Sequence, residues 1–385
     1  MFVSRRLSST RPLATTHMHG RVEALRAAGV PVIDFSIALS HFPAPQAVRD
    51  AVADGLRQHA LPYTSVAGAA GLRDALARKA QDDNGIDADS AEIIVTNGAK
   101  QALYQSLYAM TDPGDSVIVF RPYWPAYLAT AQLLDLNVQL VDLPDAFTPD
   151  TLAALPPAKV LVLNNPHNPT GKVHTKAELD LLAGWLAAQG ARAIVDESYE
   201  KLAFEGLHYS LASRCDWRAL GVVTIFSASQ SYAMMGWRTG FAVAPRALVT
   251  AMETLQGPIT AAPAALTQLA CGAAFASGET DTMMADYRIR RDLVLDMVKD
   301  VPWLRMACPA AGPYLWGDVS ALTGDTVTLA EQLLEHCKVA VMPGEALGVP
   351  GFIRIGFIAD DHATLREGVA RILAFGNRLA AGEMI

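Results

Sequence analysis

Short apolar runs alternate with longer amphipathic segments over residues 92–244, a pattern typical of a layered α/β fold. Most of these runs are apolar throughout instead of alternating, as in strands that are covered on both faces. Between them, side chains such as Leu103, Leu107 and Met110 share one helical face. We therefore predict a mostly parallel seven-stranded sheet flanked by helices. Its strands are predicted at 92–96, 116–120, 138–143, 160–164, 193–197, 222–226 and 240–244.

The pattern changes after residue 250, where long helical segments give way to short strands separated by glycine turns. Two helices and three strand segments are predicted there, at 265–277, 280–300, 313–320, 339–344 and 352–357. This order predicts a smaller α+β domain. The N-terminal segment is too short to fold alone, so we expect it to pack onto that domain. The predicted division is a large domain at 42–283 and a small domain made of 1–41 and 284–385.

Composition excludes several classes of protein. The chain has 385 residues, 51% hydrophobic and 18% charged, which is enough for more than one core. A net charge of −8 without a basic stripe argues against nucleic-acid binding. No apolar run approaches the ~20 residues that a membrane helix needs. Four widely spaced cysteines without a CxxC pair indicate reduced thiols and argue against a zinc site.

The first 22 residues carry several arginines and no acidic group, a composition also found in organelle transit peptides. They run directly into the pattern of the folded chain, so we favour a structural role and a cytoplasmic location.

Two loops that follow predicted strands have the composition of ligand sites. In "TNGAKQALY", a glycine turn leads into a helix whose free N–H groups suit an anion, although an ordinary strand–turn–helix unit has the same pattern. In "NNPHNPTGKV", residues 164–173, two prolines restrict the backbone and Gly171 permits a turn. Such a rigid loop is suited to presenting the amide of Asn168 to a ligand.

Asp196 stands at the carboxyl end of an apolar strand in "IVDESYEKLAFEG". A carboxylate there is costly unless it meets a cation or hydrogen-bond donors. Ligands of open α/β sheets bind at this strand end, and Tyr199 follows close by. The plainer interpretation is that Asp196 caps a helix that begins at Glu197.

The stretch "SASQSYAMMGWRTG", residues 227–240, combines the hydroxyl of Ser227 with the guanidinium of Arg238. Arginine recognises phosphate through two parallel hydrogen bonds, and serine adds another donor. Together with Gly98 and Lys100 these side chains would form a cup for a dianion. Between them lies Gln230, whose amide is neither a nucleophile nor a titratable base.

These motifs, in this order, resemble the class I and II aminotransferases, which are fold-type I enzymes dependent on pyridoxal 5′-phosphate. The similarity includes "TNGAKQAL", "PYW", "NNPHNPTG", "DESYE", the 227–240 stretch and "RIGF", and it extends over nearly the whole chain. The resemblance implies a fold-type I α/β scaffold for moving an amino group between an α-amino acid and a 2-oxo acid.

The resemblance also assigns cofactor contacts. Trp124 would stack on the pyridine ring, while Asn168 and Tyr199 would bond its hydroxyl oxygen. Asp196 would pair with the ring nitrogen and keep it protonated, so that the ring withdraws electrons from the substrate Cα. The residues that would hold the phosphate are Gly98, Ala99, Lys100, Ser227 and Arg238.

Further roles implied by the resemblance concern the substrate and a second subunit. Arg354, in "FIRIGF", would bind the substrate α-carboxylate, with Ala38, Asn168 and Trp124 beside it. Tyr63 would reach the phosphate of the neighbouring subunit, which implies a homodimer.

Gln230 departs from the family, in which lysine binds the cofactor covalently and moves the proton at Cα. Both tasks require an amine that can be uncharged, and an amide performs neither. We favour an otherwise ordinary enzyme in which lysine was exchanged for glutamine, leaving transamination severely impaired. Such a chain would hold pyridoxal phosphate as an external aldimine, or hold pyridoxamine phosphate. The alternatives are a natural lysine-free enzyme with other Cα chemistry and a non-catalytic ligand-binding relative.

A second departure is "SIALSHFPAP", residues 36–45, where the family tends to have a glycine-rich loop near the substrate. Here the loop contains Ala38 and His41. We favour ordinary loop variation at His41. The alternative is a proton-transfer group in an altered substrate pocket.

Overall fold

The computed structural model describes residues 7, 14–58, 61–204 and 208–383. Residues 1–6 and 8–13 lie outside this part, and so does most of the arginine-rich segment considered above. The strands are β1 (Ile33–Asp34), β2 (Ile93–Thr96), β3 (Ser116–Arg121), β4 (Asn137–Asp142), β5 (Val160–Asn164), β6 (Arg192–Asp196), β7 (Val222–Ser227), β8 (Gly240–Val243), β9 (Arg305–Met306), β10 (Tyr314–Asp318), β11 (Val339–Ala340), β12 (Met342–Pro343) and β13 (Phe352–Gly356).

Helices fill most of the chain between these strands. They are α1 (Ala14–Ala27), α2 (Gln46–Gln58), α3 (Ala70–Asn84), α4 (Ala99–Met110), α5 (Pro125–Leu133), α6 (Pro149–Ala153), α7 (Lys176–Gln189), α8 (Trp217–Leu220), α9 (Ala228–Ser231), α10 (Arg246–Thr260), α11 (Ala265–Ser277), α12 (Asp281–Val298), α13 (Thr326–Gln332) and α14 (His362–Ala380). None of those described is both long and apolar enough to cross a membrane.

The seven predicted apolar runs form a single sheet with the order β2-β8-β7-β6-β5-β3-β4. Strand β8 is antiparallel to both of its neighbours, and the other pairings are parallel. The prediction of a mostly parallel seven-stranded sheet is therefore confirmed. Because parallel strands all end at the same edge, the loops that carry the predicted motifs emerge together.

The uniform apolarity of these strands follows from burial on both faces. In β2, Ile93 and Val95 belong to one hydrophobic core, and Ile94 belongs to the core on the opposite face. The edge strand β4 is different, because Leu140 remains 39% exposed.

A second sheet, of order β12-β13-β10-β9, is antiparallel and has its own hydrophobic core. Strand β1 pairs in parallel with β11, and Met18 and Val22 of α1 join the same core. The N-terminal segment thus packs with the chain that follows residue 284. Between this layer and the carboxyl edge of the large sheet lies a cavity.

Candidate active site

The cavity has a volume of about 440 Å³ and opens at the carboxyl ends of the parallel strands. It brings together side chains from five separate loops of the large sheet, along with Tyr314 of β10. Its described lining consists of Ala99, Lys100, Trp124, Tyr127, Asn164, Asn168, Asp196, Ser198, Tyr199, Ser227, Ser229, Gln230, Met235, Arg238 and Tyr314.

One end of the cavity is built for an anion. Gly98 joins β2 to α4 with φ +78°, and a Cβ at this position would lie 2.6 Å from Nη2 of Arg238. Glycine is therefore required both by the backbone conformation and by the close approach of the guanidinium. No side chain caps the N-terminus of α4, so its first N–H groups are available to a ligand.

Three more side chains complete this end. Arg238 is held by a 2.8 Å hydrogen bond from Nη1 to the carbonyl oxygen of Met235, and Ser227 caps α9 by accepting from the Ser229 N–H at 3.1 Å. Partial burial and the charge of Arg238 lower the pKa of the Lys100 ammonium. Because two neighbouring cations repel each other, they are stabilised by a dianionic ligand.

The floor of the cavity contains Asp196, which is buried at the end of β6. Its carboxylate accepts hydrogen bonds from the Tyr127 hydroxyl at 2.7 Å, the Ser198 N–H at 3.1 Å and the Ser198 hydroxyl at 2.5 Å. Burial nevertheless raises its pKa, against the effect of these donors. No lysine, arginine or histidine of the described chain forms an ion pair with it, so a cationic ligand atom would find an unpaired partner here.

The helix-cap interpretation of Asp196 is wrong. No helix begins at Glu197; the next helical turn is a 3-10 segment at Glu200–Leu202. The Asp196 side chain instead accepts from the backbone two residues ahead, in a local turn that leaves the carboxylate facing the cavity.

In the wall of the cavity, the side chains of Asn168 and Tyr199 contact each other, as predicted for two residues of one ligand site. Asn168 Nδ2 donates to the Tyr199 hydroxyl at 3.3 Å, and burial raises the pKa of that phenol well above its usual value. The backbone N–H of Asn168 donates to Asn164 Oδ1 at 2.7 Å, which fixes the loop after β5. Trp124 supplies a flat aromatic face, with the Lys100 ammonium 5.3 Å from its ring centre.

Arg354 lies beside this wall, on β13 of the second sheet. Nη1 donates to Asn168 Oδ1 at 3.2 Å, Nη2 donates to the Ser36 carbonyl oxygen at 2.6 Å, and the guanidinium stacks on Tyr314 at 4.1 Å. The side chain is buried, its Nε has no hydrogen-bond partner, and no carboxylate of the described chain pairs with it. A buried guanidinium without a counter-ion is suited to binding a carboxylate ligand.

Gln230 lies in the cavity on α9, directly after β7. Its Nε2 donates to the Ala38 carbonyl oxygen at 3.3 Å, which also places Ala38 next to the cavity. Among the described lining residues Lys100 is the one lysine, and it lies at the anion end.

Two residues considered from the sequence lie elsewhere. Tyr63 is 96% exposed and lies outside the cavity, next to an apolar groove. The Nε2 atom of His41 lies 3.7 Å from Asp286 Oδ2 and 3.4 Å from Arg290 Nη2, so its imidazole belongs to a charged cluster on helix α12. Burial, and then the charge of Arg290, lower its pKa.

The sequence interpretation missed Tyr127, Ser198 and Tyr314. Tyr127 had a detectable signal, because it follows Trp124 by three residues at the start of α5 and so shares its helical face. Tyr314 had none, since only the meeting of the two sheets brings β10 to this cavity.

The donor set fits pyridoxal 5′-phosphate. The Gly98–Arg238 end matches a phosphate, Trp124 matches a flat ring, and the buried carboxylate of Asp196 lacks the cation that a protonated ring nitrogen would supply.

Comparison with known proteins gives one consistent result. The sequence model of the family described as "Aminotransferase class I and II" matches residues 30–372. The aspartate/prephenate aminotransferase of Thermus thermophilus is 34% identical over 380 residues, covering 96% of this chain and 97% of the relative. The aspartate aminotransferase of Geobacillus stearothermophilus is 31% identical, covering 97% and 99%.

Among solved structures, the aspartate aminotransferase from Thermus thermophilus with maleate is similar with a TM-score of 0.92 and 32% identity. The match covers 97% of this chain and 99% of that one.

Proposed function

This chain belongs to the family of class I and II aminotransferases, and we propose that it is a member in which Gln230 severely impairs amino transfer. The family uses pyridoxal 5′-phosphate, which is therefore the cofactor of this scaffold. The observation that carries the proposal is that Asp196 and Arg238 line one cavity and Arg354 lies directly behind its wall, in contact with Asn168 and Tyr314. Each of the three is charged, and none has an ionic partner among the described residues.

We infer the following cofactor contacts. Ser227, Arg238 and the turn from Gly98 to Lys100 hold the phosphate, and Trp124 covers the ring. When bound, the cofactor draws electrons from the substrate Cα. Asp196 holds a proton on the ring nitrogen, because its buried carboxylate is stabilised by an adjacent cation.

Substrate recognition is assigned to the opposite end of the cavity. Arg354 binds the α-carboxylate with the N–H groups that face away from Ser36 and Asn168. The named relatives act on aspartate. We propose an acidic amino acid here as well.

The impairment follows from the chemistry of position 230. An amide nitrogen shares its lone pair with the carbonyl, so it neither attacks an aldehyde nor accepts the Cα proton. The other cofactor-binding positions of the site keep suitable residues, as a single exchange of lysine for glutamine would leave them. The alternatives remain a lysine-free enzyme with different Cα chemistry and a ligand-binding relative. The hydrogen bond from Gln230 to Ala38 favours the first of these two, because it gives the amide a defined place.

We further infer a homodimer and a two-domain chain. Tyr63 is almost fully exposed next to an apolar groove, as expected of a residue that reaches the phosphate of a partner. The large domain is assigned to 42–283, and the small domain to 1–41 with 284–385.

The test compares the parent chain with Gln230→Lys. Both should bind pyridoxal phosphate, seen as a change in its absorbance, and both should respond to aspartate. Turnover of aspartate with 2-oxoglutarate should be at least ~100-fold higher in Gln230→Lys, because general acid–base catalysis contributes on this scale. The matched control is Gln132→Lys, the same exchange at an exposed position of α5, which should leave the parent rate unchanged. Equal rates in the parent and in Gln230→Lys would contradict the proposal.

A further inference from the structure

The backbone of Ser36–Ala38 lies beside the substrate end of the cavity, where its carbonyl oxygens accept hydrogen bonds from Arg354 and Gln230. It follows β1 and is anchored at its start, where Asp34 Oδ1 accepts from the Ser36 N–H at 2.9 Å and from its hydroxyl at 2.6 Å. Ser36 and Ala38 are both buried. The conformation of this segment therefore determines where the carbonyl oxygens of Ser36 and Ala38 lie.

Two side chains from different sheets bind alternate carbonyls of this segment. Arg354 of β13 donates to the Ser36 oxygen at 2.6 Å, and Gln230, which follows β7, donates to the Ala38 oxygen at 3.3 Å. Arg354 also donates to Asn168, in the loop after β5. The guanidinium and the segment thus share one network that bridges the large sheet and the small one.

We propose that Gln230 is a positioning residue for the carboxylate site: its amide fixes the Ser36–Ala38 backbone and thereby orients Arg354. This inference rests on the proposed function of Arg354. An amide N–H remains a donor over the whole working pH range and does not react with an aldehyde. A lysine in this place, once bonded to the cofactor, no longer has its free ammonium to offer to Ala38.

The rest of the loop is held independently of Gln230. The Tyr287 hydroxyl donates to Ser40 Oγ at 2.8 Å, and Ser40 Oγ accepts from the Phe42 N–H at 3.3 Å. His41 contacts Asp286 and Arg290 as described above. Removing the amide of Gln230 therefore releases the Ala38 end alone, and we expect such variants to fold.

The effect should be confined to one end of the cavity. Arg354 and Ser36 lie at the carboxylate end, while Gly98 and Arg238 form the anion end and make no contact with Ala38. Loss of the Gln230–Ala38 bond should therefore weaken carboxylate binding and leave phosphate binding unchanged. A general loss of packing would weaken both.

The experiment measures succinate and inorganic phosphate binding by calorimetry in cofactor-free protein, for the parent, Gln230→Met and Gln230→Lys. Methionine keeps the length and removes the donor, so succinate affinity should fall about three- to tenfold, as for the loss of one hydrogen bond. Phosphate affinity should stay the same. Gln230→Lys restores a donor and should bind succinate at least as tightly as the parent. After loading with pyridoxal phosphate, the succinate affinity of Gln230→Lys should fall, whereas that of the parent should stay the same.

Leu39→Ala is the matched control, because Leu39 lies in the same loop with its side chain 48% exposed, and both affinities should remain at the parent level. Parent-like succinate binding by Gln230→Met would overturn the inference, and so would a parallel fall in phosphate affinity. Because the succinate and phosphate measurements on the parent and Gln230→Met need no cofactor, they remain decisive even if pyridoxal phosphate fails to bind and the proposed function is lost.

Discussion

At the scale of single residues, the site consists of charges that the fold has removed from water without giving them ionic partners. Asp196 and Arg354 are both buried, and each has hydrogen bonds to neutral groups only. Such groups lower the stability of the ligand-free protein and raise its affinity for a ligand of complementary charge. Stability and function therefore make opposite demands on the same side chains.

Asp196→Asn tests this conflict. Burial raises the pKa of Asp196 in the folded protein, so the folded chain binds the proton more tightly than the unfolded chain. Stability consequently falls as the pH rises from the unfolded value toward the folded one, and at neutral pH the ionised carboxylate still destabilises the fold. Without cofactor, Asp196→Asn should melt about 1–3 °C higher at pH 7. With cofactor, the same variant should bind pyridoxal phosphate more weakly and exchange the Cα proton of aspartate more slowly. A lower melting temperature for the cofactor-free variant would contradict this account of Asp196.

Gly98→Ala tests the anion end. A Cβ at Gly98 meets the Arg238 guanidinium at 2.6 Å in a left-handed backbone, so alanine must displace the arginine. We expect phosphate affinity to fall at least ~10-fold, because one charge-assisted contact is lost.

The control is Gly114→Ala. Gly114 also has a positive φ, +89°, but a Cβ there would meet nothing within 4 Å. Both variants share the backbone strain, of about 1–2 kcal/mol, whereas phosphate affinity should change in Gly98→Ala alone. An equal loss of affinity in the two variants would assign the effect to strain.

At the scale of elements, most strands of the large sheet could be predicted because they are buried on both faces and so have apolar runs, whereas the edge strand β4 is partly exposed. β1 and β9 could not be predicted, since each consists of two residues, and β1 pairs with β11 from a distant part of the chain. The residues of the site likewise divide into those that the sequence could predict and those that it could not. Residues at strand ends such as Asn168, Asp196 and Ser227 could be predicted, whereas the contact of Tyr314 depends on how the two sheets meet.

The loop around His41 gives a prediction for this scale, because it joins α12 to the substrate side of the cavity. Burial and Arg290 lower the pKa of His41 in the folded protein. Asp286 and Asp360 oppose this shift, and His362 adds to it. The unfolded chain therefore takes up the proton first, and stability attributable to His41 is lost as the pH falls below about 6.5.

His41→Gln should remove this contribution. The melting temperature of the parent minus that of His41→Gln should decrease between pH 7 and pH 5. In the Gln230→Lys background, His41→Gln should change turnover little. A large loss of turnover would instead favour the proton-transfer role considered from the sequence.

At the scale of the whole molecule, the residues proposed to hold the phosphate all come from one chain except Tyr63, which the proposed dimer supplies from the partner. Tyr63 lines a groove of about 590 Å³ together with Leu61, Pro62 and Pro263. This groove adjoins a second one of about 730 Å³, which shares Leu61 and Pro62 with it and is lined mainly by apolar residues of α2, α3 and α11, including Leu269. An apolar groove of this kind next to a fully exposed tyrosine favours an interface between two copies of the chain.

A mixing experiment distinguishes a tyrosine that acts in the partner site from one that acts in its own. Tyr63→Ala and Arg238→Ala chains should each bind pyridoxal phosphate weakly. In a two-fold symmetric dimer, a mixed pair has one site with its own Arg238 and the Tyr63 of the other chain, and a second site that lacks both. Random reassociation should therefore restore tight binding at about a quarter of all sites. If Tyr63 served its own chain, no mixed site would contain both residues, and the mixture would bind no better than its components.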